Sequence, residues 1–64
     1  MTIDQAQEHI ATQMKFGSGY NRHSIRLILN EVQKEYGQQG VNILIKTFNL
    51  DQKMGLMLDK AIKI

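Results

Sequence analysis

The apolar residues of this chain fall into four runs of helical spacing, separated by breaks that contain glycine. In the first run Ile3, Ala6, Ile10 and Met14 lie three or four apart. Thr2 and Gln5 in front of it fit a capping box, in which the threonine oxygen accepts the N3 amide and the glutamine reaches back. Gly17 and Gly19 are placed to end this helix. The second run has the clearest pattern. Ile25, Ile28, Leu29, Val32 and Tyr36 recur at i, i+3, i+4, i+7 and i+11, one face of an amphipathic helix. Asn21 or Ser24 can cap its start, and Gly37 stands where a C′ glycine belongs.

The third run follows "GQQG", with Val41, Leu44, Ile45 and Phe48 at i, i+3, i+4 and i+7. Its opening "VNILI" is rich in β-branched residues, so a short strand competes with the helix over 41–48. No second alternating segment exists to pair with such a strand, and an isolated strand leaves its backbone unsatisfied. A helix is therefore the expectation. The last run, Leu50, Met54, Met57, Leu58 and Ala61, predicts a shorter helix interrupted by Gly55, with Asn49 and Gln52 as a cap pair. The expected fold is all-α: three helices and a shorter C-terminal fourth, joined by glycine turns in a single domain of 64 residues.

Two apolar residues face away from these stripes. At about 100° per residue, Leu27 projects opposite the Ile25–Val32 face, beside His23, Asn30, Glu31 and Lys34. Ile43 does the same beside Lys46 and Thr47. Single exposed apolar residues are ordinary. Yet a chain this short buries only about 60% of the surface its unfolded form exposes, and small domains gain from a partner or a second copy. Leu27 and Ile43, with Met54 and Met57 of the methionine-bearing tail, are therefore the candidate interface.

Composition narrows the chemistry. The absence of cysteine excludes disulfides and thiolate metal sites, and the absence of proline favours helix throughout. "MTIDQAQEHI" has neither the basic start nor the apolar run of a secretory leader, so a reducing cytoplasm is the expected setting. No stretch approaches the roughly 20 apolar residues that span a bilayer. The tail "MGLMLDKAIKI" has the composition of an interfacial segment, but Asp51, Asp59 and Gly55 favour core packing or a dimer contact over a membrane.

No catalytic group assembles from the sequence. Ser24 neighbours His23, but adjacent helical residues point about 100° apart and do not make a nucleophile–base pair. The carboxylates are scattered singly, and His9 and His23 lack ligand partners at i+3 or i+4 of the HExxH kind. The expectation is a protein that is not an enzyme and uses no metal or cofactor.

The stretch "FGSGYNRHS" is the most unusual. "GSGYNR" begins like the dinucleotide fingerprint, but Arg22 replaces the last glycine and a helix precedes it where a strand is required. It is more simply a reversal between helices. Beyond it lies a basic flank. Between Glu8 and Glu31 the formal charges are Lys15, Arg22 and Arg26, and Arg22, Arg26 and Gln33 share one meridian of the second helix. Lys15, Asn21, Arg22, His23 and Arg26 are thus the candidate contacts for an anion or a nucleic acid, met by the N-terminal end of that helix. A net charge of +2 is modest for a nucleic-acid binder, which uses many phosphate contacts. The functional expectation is a small interaction or regulatory module that binds a protein partner or itself through helix faces. Nucleic-acid binding is the alternative.

Overall fold

A computed structural model describes residues 1–15 and 21–62. Three helices make up the described chain, in the order α1 (Ile3–Met14), α2 (Arg22–Phe48) and α3 (Leu50–Met54), with no strand among the described residues. The all-α expectation holds, and 41–48 is helical. The reversal expected at Phe16–Tyr20, with Gly17 and Gly19, lies outside the described residues.

Each helix starts for a local reason. At α1 the capping box closes in both directions: the Gln5 amide donates to Thr2 Oγ1 at 3.0 Å, and the Thr2 amide donates to Gln5 Oε1 at 2.9 Å. At α2 the cap is Asn21 and not Ser24, because the Ser24 amide donates to Asn21 Oδ1 at 3.1 Å. The expected Asn49–Gln52 cap is not made by a side chain. Asn49 instead adopts the left-handed conformation (φ 54°, ψ 42°), ending α2 and opening α3 in one residue. Asparagine tolerates that region better than other residues with a Cβ. Its carbonyl accepts from the Gln52 and Lys53 amides at 3.1 and 3.0 Å.

The expected second and third helices are two arms of α2, 22–36 and 38–48, broken at Gly37 (φ 72°, ψ −162°). That combination is open essentially to glycine alone. "GQQG" is therefore no loop. Its first glycine makes the break and the rest begins the second arm. Gly40 is buried there because the chain crosses itself closely: a Cβ on it would lie 2.8 Å from Tyr36 Cβ, 2.8 Å from Val32 Cγ1 and 3.0 Å from Ile3 Cδ1. Tyr36, expected in the core stripe, lies over Gly40 and stays half-exposed.

α1 and α3 both pack on α2. The core holds Ala6 and Ile10 from α1, Ile25, Leu29 and Val32 from the first arm, and Val41, Leu44 and Ile45 from the second; Leu50 and Ile62 complete it. Burying each large aliphatic side chain fully contributes about 1.5–3 kcal/mol, so these positions carry the fold. α3 stops at Met54, where Gly55 takes the left-handed conformation (φ 69°, ψ 19°). Met57, Leu58 and Ala61 therefore do not continue the expected helical stripe, and residues 55–62 form a non-helical tail.

Two substitutions test this account by urea unfolding. Gly37→Ala should cost about 1–3 kcal/mol from backbone strain alone, since no atom lies within 4 Å of its added Cβ. D-alanine at the same position should recover most of that loss, because the mirror image of these dihedrals is ordinary extended backbone. Gly40→Ala should lose about 1–2 kcal/mol despite its better helix propensity, since the Tyr36 Cβ is fixed to the main chain and cannot yield. A stabilised Gly40→Ala protein would contradict the close crossing.

Candidate functional site

The tail lacks the internal hydrogen bonds of a helix, so its backbone groups need partners from elsewhere. Two side-chain amides of α2 supply them. Gln33 Oε1 accepts from the Ile62 amide at 2.6 Å, and Gln33 Nε2 donates to the Ile62 carbonyl at 3.2 Å. A single carboxamide thus satisfies one residue as a neighbouring strand would. Asn42 holds Asp59 by one backbone and one side-chain bond: the Asp59 amide donates to Asn42 Oδ1 at 3.0 Å, and Asn42 Nδ2 donates to the carboxylate Oδ1 of Asp59 at 2.8 Å. Gln38 Nε2 also donates to Asn42 Oδ1, at 3.0 Å, which holds that carboxamide in orientation. Asp59 is left-handed (φ 62°), another conformation that aspartate tolerates. With one clamp on each arm, the tail is drawn over α2 and Ile62 enters the core.

This changes the surroundings of the basic flank. Gln33, on the meridian of Arg22 and Arg26, is occupied by the tail. Arg26 borders a cavity of about 200 Å³ that it shares with Leu56, Met57, Lys60, Ala61 and Ile62. Arg26 from the flank and Met57 from the candidate interface, 31 positions apart (57 − 26), therefore meet at one place. Lys60 and Leu56 join them. The helical stripe expected for the tail contained neither of them.

The other sequence-derived residues are placed as follows. Lys15 ends α1 as its exposed C-cap. Arg22 and His23 are exposed in the first turn of α2, which contains no acidic residue, and Arg22 has an interaction of its own. Asn21 is committed to capping, which takes one first-turn amide away from any anion. Leu27 and Ile43 are 44% and 50% exposed, on separate arms of α2, and Met57 is 62% exposed. Met54 is half-buried against the core, which leaves it a smaller share in any outer surface.

Among the described residues no group of three or more His, Asp or Glu is arranged to hold a metal ion, and no helix is long and apolar enough to cross a membrane. Comparison with family models, with curated proteins and with solved structures gave no match to this chain.

The clamps can be tested directly. Gln33→Ala leaves the Ile62 amide and carbonyl without their partner beside the core, at a cost of about 1–3 kcal/mol. Amide exchange should then accelerate at Ile62 and Asp59 while α1 and the two arms keep their protection. Exchange that stays slow at Ile62 would mean the tail is held by burial alone.

Proposed function

We propose that this small all-α bundle with glycine turns is a cytoplasmic interaction or regulatory module, which binds another macromolecule or a second copy of itself through its helix faces and tail. The observation that carries the reading is the exposure of Leu27, Ile43 and Met57, large apolar side chains left outside a core that Ile62 already closes. In a chain of 64 residues, large apolar side chains left exposed are natural points of contact for a partner. Arg26 and Lys60 beside Met57 add charge complementarity toward an acidic partner. The module works by binding and performs no chemistry of its own.

Nucleic-acid binding is a second reading, favoured by the acid-free first turn of α2 and its exposed Arg22, His23 and Arg26. Asn21, which caps the helix, is withdrawn from that surface.

One set of amide-resolved NMR spectra separates the two readings, recorded at two protein concentrations with and without duplex DNA. The interaction reading expects concentration-dependent shifts at Leu27, Ile43 or Met57, suppressed by Leu27→Asp without loss of helicity. A wild type and a Leu27→Asp protein that are both strictly monomeric would eliminate self-association. Salt-sensitive shifts at Arg22, His23 and Arg26 on adding DNA would favour the second reading.

A further inference from the structure

We infer that the cavity between the first arm of α2 and the tail is an anchor site for an acidic segment of a partner protein. It takes one apolar side chain of that segment, while carboxylates on either side of it meet Arg26 and Lys60. The inference deepens the interaction reading above and rests on it.

Size decides the class of occupant. Pockets that enclose a small-molecule ligand or cofactor typically run to about 300–1,000 Å³. This one is about 200 Å³, on the scale of a single large side chain. Leu56, Met57, Ala61 and Ile62 give the apolar part of its wall and Arg26 and Lys60 the polar part, and Met57 is well exposed. An unbranched thioether can reshape around whichever side chain enters.

Charge decides the flanks. Arg26 and Lys60 both border the cavity, and among the described residues neither is ion-paired with a carboxylate. The acid beside Lys60 in sequence, Asp59, has Oδ1 tied to Asn42 on the second arm. An incoming segment with carboxylates around one apolar residue therefore brings charge that the described residues do not supply to Arg26 and Lys60. A planar guanidinium suits a bidentate carboxylate, and the lysine adds a mobile point charge. A nucleic-acid backbone offers the charge without the apolar plug and would leave the cavity unfilled.

The test uses the whole chain and an acetylated, amidated hexapeptide of two aspartates, leucine, phenylalanine and two glutamates. Its controls are the same peptide with serine for the two apolar residues, and one with lysine for the four acids. Saturable shifts are expected at the Met57 methyl group and at the Arg26 and Lys60 amides. Both controls should bind at least about tenfold more weakly, and so should the Arg26→Gln, Lys60→Gln double variant. Affinity should also fall as salt rises from low to physiological ionic strength. Both substituted residues are exposed, so circular dichroism should show unchanged helicity. The inference is overturned if the acidic peptide leaves the pocket unmoved at millimolar concentration, or if the double variant binds as the wild type does. Equal binding of the serine control would also overturn it. A silent pocket alongside concentration-dependent shifts at Leu27 or Ile43 would remove this inference and leave the interaction reading intact.

Discussion

Everything in the described structure depends on one backbone conformation, that of Gly37. A continuous helix over 22–48 would place its apolar residues along a rod too long for α1 to cover. The break converts that rod into two arms, and the apolar faces of both then close around α1. Gly40, three residues on, allows the arms to approach at the point where Ile3, Val32 and Tyr36 meet. The two glycines act differently: the first supplies a dihedral combination, and the second supplies space.

Much of the fold was legible along the chain. Ile3, Ala6 and Ile10, then Ile25, Leu29 and Val32, then Val41, Leu44 and Ile45, all sit in or against the core on the helical face their spacing implied. The caps at Thr2 and Asn21 followed from side chains that hydrogen-bond locally, and local chemistry is what a sequence displays. Gly37 ends the second helix as its position implied, but the next helix starts almost at once, so the rest of "GQQG" is helix and not a loop. Asn49 does stand at the N-cap of α3, but its backbone is left-handed and its side chain makes no cap hydrogen bond. Tyr36 satisfies the periodicity but sits at the break, where the face it belongs to changes direction.

The tail was the least legible part, for a physical reason. Its apolar residues keep helical spacing past Gly55, yet a positive φ at that glycine removes the periodicity from which the spacing draws its meaning. What holds the tail in place is polar and distant in sequence. Gln33 and Asn42 reach residues 29 and 17 positions away. A glutamine and an asparagine within helices carry no signal that they will hold a distant segment. Arg26 and Met57 were both identified from the sequence, but their meeting required knowing where the tail runs, and Lys60 and Leu56 could be found in no other way.

The clamps also imply an order of events in folding. α1 and the two arms bring together most of the buried core, whereas the tail contributes Ile62 to it and is otherwise held by the Gln33 and Asn42 clamps. Ordering residues 55–62 costs chain entropy, and Leu56, the Asp59 clamp and Ile62 offset that cost only once the body they pack on has formed. The tail is therefore expected to dock last during refolding and to detach first under mild denaturant. A kinetic experiment in which Ile62 gains protection ahead of Leu29 would contradict that sequence. In this sense the outermost segment works as a latch, set only after the body it closes has been built.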